Sequence, residues 1–240
     1  MGSDTGFGEI DVRTGVKPRK VDAMVASLGA TIVRGEVAPN TVLPPERDLE
    51  VRFGVGRSVV REAMKVLAAK GLVTVGPRHG TIVRPARDWT LLDRDVLEWL
   101  RTVDGFDRDL LFALQETRAI IEPAAAALAA QRATAEDRQR IADAFAAMEI
   151  GRFEATAAIA ADKAFHLAIL EATHNPVLCN FRPAIDAILS VVFDLSVGGF
   201  VENLPNHAAV ATAIQAGRPD DARAAMERVL GFTGDNLFVS

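Results

Sequence analysis

Apolar positions recur at helical spacing between Lys20 and Arg34, where Val21, Met24, Val25, Leu28 and Ile32 fall near one face and Gly35 supplies the stop. A loop with Pro39 and Pro44-Pro45 follows. Pro45, Glu46 and Arg47 then open a second helix that runs to about Phe53, with proline in its first turn. Gly54-Val55-Gly56-Arg57 reads as a tight turn. A third helix is predicted from Ser58 to about Lys70, with Ser58 as N-cap and Gly71 as its end. The period then changes to that of short strands, Leu72 to Val75 and Thr81 to Val83, joined by a hairpin tip at Gly76-Pro77-Arg78-His79-Gly80. Helix, helix, turn, helix, strand, strand is the order of a winged helix-turn-helix.

From Trp89 onward the pattern is helical almost throughout. Trp89, Leu92, Val96 and Trp99 share a face. Further helices are predicted over Asp107 to Arg132, Ala135 to Glu149, Arg152 to Thr173, Pro176 to Leu195, His207 to Ala216 and Pro219 to Leu230. The fold class is therefore mainly α: a winged helix-turn-helix domain over 20–87 and an all-helical bundle over 88–240. Residues 1–19, polar and glycine-rich, form a tail. The join near Pro85 to Asp88 is short enough for movement in one domain to reach the other.

Composition narrows the class. The chain has 240 residues, 49% hydrophobic and 25% charged, a globular profile. No apolar run approaches the roughly 20 residues that span a bilayer, and the N-terminus lacks an apolar signal core. A cytoplasmic protein with no membrane partner is expected. The single cysteine, Cys179, reads as a small buried hydrophobe. The net charge of −5 is unevenly spread: up to Arg87 there are 14 Lys+Arg against 9 Asp+Glu, and beyond it 13 against 23. A basic module beside an acidic one suggests that only the first meets a polyanion.

The third helix is the recognition candidate. Arg57, Ser58 and Arg61 lie at its amino end, and the two arginines, four apart, share a face. In helix-turn-helix proteins that end lies in the major groove, where arginine can bond guanine O6 and N7 with a fork. Arg47 can hold a phosphate or a base edge. Arg78, His79 and Gly80 sit at the wing tip, placed for backbone or minor-groove contact. An isolated arginine pair on a helix is more often a solvated face; here the order of elements aims it at DNA.

The stretch Leu43-Pro44-Pro45-Glu46-Arg47-Asp48-Leu49, then Gly54 through Ala63, then Leu67 to Val73 with Gly80, resembles the GntR family of bacterial regulators. Departures are mild, Pro45 and Gly56 each replacing a serine. The resemblance implies base-contact roles for Arg47, Arg57 and Arg61 and groove insertion by the wing around Gly80. The remainder resembles the FadR-type helical effector domain, FCD, through Arg118 and Glu122, Asp162 to His166, Asn175-Pro176 and His207.

Asp162 and His166, at i and i+4, project from one helix face, and a carboxylate and an imidazole so spaced can bind one divalent metal, zinc or similar. His207 could complete a facial set with open positions. The family resemblance implies a fourth histidine 22 residues later, where this chain has Val229. Either three protein ligands hold the metal with water or effector, or Asp162, His166 and His207 bond the effector directly. The alternative for Asp162 and His166 is a plain intrahelical pair. Arg118 and Glu122, also four apart, would be worth only ~0.3–0.5 kcal/mol as an exposed pair; the resemblance instead points Arg118 at an effector carboxylate. His174 is assigned a capping or surface role.

Trp89 through Trp99 and His174 through Leu178 resemble sugar-acid regulators of the galactonate-operon type. An aldonate is therefore the first choice of effector, and another small carboxylate such as lactate the alternative. The tryptophans themselves are assigned to packing. The expectation is a homodimer on a pseudo-palindromic operator, released by a small anionic effector. A metal-dependent hydrolase and a ligand-free architectural DNA binder are the rival classes, the first weakened by the lack of a general base beside the trio.

Overall fold

The computed structural model describes residues 20–76, 79–101, 108–195 and 200–237. Helices α1 (Lys20–Val33), α2 (Glu46–Phe53) and α3 (Arg57–Ala69) precede strands β1 (Val73–Gly76) and β2 (Gly80–Val83) and a 3-10 turn (Ala86–Asp88). Helices α4 (Arg94–Arg101), α5 (Arg108–Arg132), α6 (Ala135–Gly151), α7 (Ala155–Glu171), α8 (Pro176–Cys179), α9 (Arg182–Leu195), α10 (Phe200–Gln215) and α11 (Pro219–Leu237) follow. The mainly α architecture with a winged helix-turn-helix at its N-terminal end is as expected.

The N-terminal core is built by the apolar faces of α1 and α3. Met24, Val25, Leu28 and Ile32 meet Val60, Ala63, Met64 and Leu67, with Leu43, Leu49, Leu72, Val73 and Val83 closing the cluster. Each large aliphatic side chain buried here contributes about 1.5–3 kcal/mol, so Leu67→Ala would remove about 2–5 kcal/mol. Helix α2 ends on Gly54, whose φ of 60° turns its N–H back to Glu50 and Val51. The cap of α3 is Gly56 in extended conformation, not Ser58, which lies inside the first turn. Glycine at that position loses only a few tenths of a kcal/mol against a polar cap.

The wing pairs Val73 with Val83 and Gly76 with Gly80 in antiparallel register. A segment read from sequence as loop extends it: Val42 bridges to Ile82, Leu43 N–H donates to Thr81 O at 2.7 Å and Val83 N–H to Thr41 O at 2.9 Å. Pro44-Pro45 masks this short strand-like run.

The C-terminal bundle has two apolar clusters. One joins Ala126, Ala129, Met148, Phe165, Val210, Met226 and Leu230 from α5, α6, α7, α10 and α11. The other joins Leu111, Leu114, Leu170, Ile185, Ile188 and Val192 from α5, α7 and α9. The stretch expected as one helix from Pro176 to Leu195 is broken at Asn180-Phe181. Helix α10 begins at Phe200, upstream of the expected start, and carries Pro205 within it. Helix α11 continues past Leu230 through Gly231 and Gly234.

Helix α4 belongs to both halves. Val96 and Trp99 lie in the N-terminal core, while Leu97 lies in the cluster of α5, α7 and α9. Trp99 packs so closely on α1 that a Cβ at Gly29 would lie 2.4 Å from its ring. The tryptophans thus pack, as expected of them, with Trp89 lying against the same core. Gly71, with φ of 78°, ends the third helix; a Cβ there would stand 2.4 Å from Asp88 O, so the chain can return across it only because the side chain is absent.

Candidate functional site

The DNA-facing candidates that the structure describes are all exposed, and Arg57 and Arg61 are brought together by a shared partner. Arg57 opens α3 and Arg61 follows one turn later, their side chains 65% and 55% exposed. Ser58 and Arg47 are exposed beside them. His79 and Gly80 are exposed at the wing, Gly80 with φ of 73° at the start of β2; Arg78 lies outside the described residues. Sequence reasoning missed Glu46. From the first turn of α2 its carboxylate accepts the Nε–H of Arg57 at 3.1 Å and of Arg61 at 3.1 and 3.2 Å. Partial burial acts to raise the Glu46 pKa, and the two guanidinium groups outweigh it and lower it.

A second constellation is buried in the bundle. Gln115, Arg118 and Glu122 occupy one face of α5, Asp162 and His166 one face of α7, and Asn203 and His207 one face of α10, each set at three- or four-residue spacing. All are buried, Arg118 completely. The Arg118–Glu122 pair is therefore no surface i,i+4 bridge: Nε donates to Glu122 Oε1 at 2.7 Å and Nη1 to Gln115 Oε1 at 3.4 Å. Gln115 is anchored in turn on Leu230 O at 2.9 Å. Glu122 Oε2 meets His166 Nδ1 at 2.5 Å. Burial drives the Glu122 pKa upward, yet Arg118 and His166 hold it at about 2. Burial likewise opposes the charged form of His166, but Glu122 and Asp162 raise its pKa to about 9.

Asp162 Oδ1 sits 3.2 Å from His166 Nε2 and 3.2 Å from His207 Nε2. It is no plain intrahelical pair, since a later helix shares the carboxylate. Neither Asp162 Oδ1 nor His207 Nε2 has a partner with hydrogen-bond geometry among the described residues, although burial alone would raise the Asp162 pKa and the two imidazoles hold it well below the usual range. The far nitrogen of His207, Nδ1, lies 3.0 Å from Asn203 O; a proton on Nδ1 would leave the Nε2 lone pair aimed at Asp162.

Buried donor atoms that converge without meeting hydrogen-bond geometry suit a cation, which would take the place of the His166 proton. The ligand atoms of Asp162, His166 and His207 all lie within 4.8 Å of one another. A divalent ion with donors at about 2.0–2.2 Å sets neighbouring donors about 2.8–3.6 Å apart, from octahedral to tetrahedral angles, a range that includes the two 3.2 Å separations. Glu122 behind His166 and Asn203 O behind His207 are the outer-shell partners such ligands need. Val229 adds no ligand. Its side chain is in the apolar cluster, and its carbonyl accepts from Asn203 Nδ2 at 3.1 Å and Thr233 Oγ1 at 3.0 Å. Three side-chain donors leave coordination positions open. His174 takes no part: its Nε2 meets Asp137 at 2.6 Å, the residue that completes the capping box of α6.

Comparison with known proteins decides the family. Residues 20–83 match the model of bacterial regulatory proteins of the gntR family, and residues 113–232 match the FCD domain. The chain belongs to the GntR family. The galactonate operon transcriptional repressor of Escherichia coli K12 is 36% identical over 215 residues, covering 88% of this chain and 92% of that protein. A putative L-lactate dehydrogenase operon regulatory protein of the same organism is 35% identical over 225 residues, covering 90% and 86%. In fold, the chain is similar to the solved structure of Lar, which controls the expression of the Listeria monocytogenes agr system, at a TM-score of 0.66 and 20% identity, covering 94% of this chain and 100% of that one.

As a GntR-family protein with an FCD domain, this is a DNA-binding transcription regulator and not an enzyme. Asp162, His166 and His207 therefore belong to an effector domain rather than to a hydrolase. Among the described residues no helix is long and apolar enough to cross a membrane.

Proposed function

We propose that this regulator represses a sugar-acid catabolic operon as a homodimer and is released from its operator by an aldonate of the galactonate type. The observation that carries the reading is the buried convergence of Asp162 on His166 and His207 at 3.2 Å, in a chain 36% identical to a galactonate operon repressor. A divalent metal, zinc or similar, held by these three side chains would supply Lewis acidity and positive charge at the open positions. That charge is needed because the Arg118 guanidinium is already matched by Glu122 at 2.7 Å. A hydroxy-carboxylate fits such a centre, its carboxylate drawn by the unmatched charge and its hydroxyls by the surrounding polar groups.

On the DNA side, Arg57 and Arg61 read base edges from the major groove, with Arg47 on a phosphate or a base edge, Ser58 beside them, and the wing residues Arg78, His79 and Gly80 on the backbone or in the minor groove. Effector binding shifts the equilibrium by its differential affinity for the free and operator-competent states. Fluorescence anisotropy of labelled operator DNA tests the reading. Galactonate or a related aldonate is expected to release the DNA in metal-replete buffer. Release by lactate alone would move the assignment to small monocarboxylates, the reading favoured by the likeness to the lactate-operon regulator. Tight specific binding that no carboxylate alters would overturn effector control.

A further inference from the structure

Glu46 stands 11 and 15 residues before the two arginines on α3 and reaches both through the packing of α2 on α3. It engages each by Nε. Arg57 and Arg61 have no other ion-pair or hydrogen-bond partner among the described residues, so both pairs of terminal Nη groups are left to solvent. Arg47, one residue after Glu46, has no such brace among the described residues. The three arginines are therefore differently prepared, although one stretch of sequence carries them.

We infer that Glu46 is a positioning residue for base reading. It rests on the assignment of Arg57 and Arg61 to base edges. By occupying Nε, the carboxylate removes the side-on mode in which Nε and one Nη pair with an acceptor. Only the end-on fork of the two Nη groups remains, the geometry that meets guanine O6 and N7 together. Holding two long side chains in place before contact removes part of the rotamer entropy that each would otherwise lose on binding. The charge acts in the same direction. One carboxylate beside two guanidinium groups halves the local positive charge, weakening the sequence-independent pull of the phosphates while leaving the bidentate contacts intact. Glu46 thus gives up affinity for any DNA in exchange for a larger ratio of specific to non-specific binding.

The test uses the full-length protein and two probes: the duplex that wild-type protein selects from a random-sequence pool, and a scrambled duplex of the same length. Glu46→Gln keeps the shape and one acceptor but removes the charge. Its specificity ratio is expected to fall about tenfold, with scrambled-duplex affinity equal or higher and a steeper dependence on salt. An unchanged ratio would overturn the inference, as would equal losses on both duplexes. Arg57→Ala and Arg61→Ala separate the two claims. If they leave the selected sequence unaltered, the base-reading assignment fails; if they alter it while Glu46→Gln does not alter the ratio, only the role of Glu46 fails. A measurement without substitution stands beside these: in free wild-type protein, the Nε–H resonances of Arg57 and Arg61 are expected to exchange with water more slowly than those of Arg47. Equal exchange would show no brace in solution.

Discussion

Lys70 Nζ donates to both carboxylate oxygens of Asp93, at 2.8 and 2.9 Å. Lys70 is the C-cap of α3, while Asp93 Oδ1 also accepts the N–H of Asp95 and Val96 and so caps α4. Asp95 adds a second carboxylate at 2.7 Å. Partial burial of the ammonium acts to lower its pKa, and the two carboxylates outweigh that and raise it. A raised lysine pKa gives stability that is present below the ordinary lysine range and lost only in strong alkali. The C-terminal end of α3 is thus tied to a helix whose Leu97 lies in the cluster of α5, α7 and α9.

Lys70→Met is expected to loosen this tie. The fold would lose about 1–3 kcal/mol. The larger change would be in regulation: operator affinity without effector stays near wild type, and the effector's ability to reduce it shrinks. Operator titrations with and without effector check this. A full effector response in the variant would place the coupling elsewhere.

Gly29→Ala reverses an ordinary expectation. In a helix interior, alanine normally gains about 0.5–1 kcal/mol over glycine. Here the added Cβ would lie 2.4 Å from Trp99 Cζ3, and overpacking of a filled core costs about 1–3 kcal/mol. Thermal or urea unfolding is expected to show net destabilisation, relieved when Trp99→Leu is added. A more stable single variant would mean that Trp99 does not press on α1.

Asp137 sets an acid limit on the bundle. Burial favours its neutral form, but Thr134 and His174 hold its pKa at about 2, against 3.8 ordinarily. A depressed carboxylate stabilises fully above its unfolded pKa and loses that contribution as pH falls through the folded value. Wild type should therefore lose about 1–2 kcal/mol between pH 5 and pH 2 through this group. Asp137→Asn keeps an acceptor for the cap but does not titrate, so its stability should vary less over that window. Identical slopes in chemical denaturation would remove Asp137 from the acid response.

Metal content is the fourth check. Purified protein dialysed against zinc is expected to retain about one ion per chain by elemental analysis. Asp162→Ala and His207→Ala should each abolish retention without preventing operator binding. Retention in both variants would send the ion to another site.

Much of this was legible in the sequence because the relevant partners are close along the chain. The i,i+4 spacings of Arg57 with Arg61 and of Asp162 with His166 fix shared faces before any packing is known. The wing follows from β-prone runs around Pro77 and Gly80. Long-range relations were not legible. Glu46 looked like one acidic residue in a first turn, and only the packing of α2 on α3 brings it to both arginines. The Arg118–Glu122 pair was visible as a spacing, but its burial, which turns a weak surface pair into a fixed internal one, depends on α7 and α11. Two helix ends lie beyond the bounds that the sequence pattern predicts. Gly231 and Gly234 lie within α11, and Pro205 lies within α10, because burial against neighbouring helices outweighs local propensity.

Thermal unfolding against a panel of aldonates, lactate and other small carboxylates, each with divalent metal and again with chelator, bears most directly on the buried centre. A ligand at 100 times its dissociation constant stabilises by about 2.7 kcal/mol, roughly several degrees in a chain of this size. The expected result is an upward shift with an aldonate that chelation abolishes. A shift that survives chelation would contradict the metal, and no shift with any carboxylate in metal-replete buffer would contradict a sensor built on Asp162, His166 and His207.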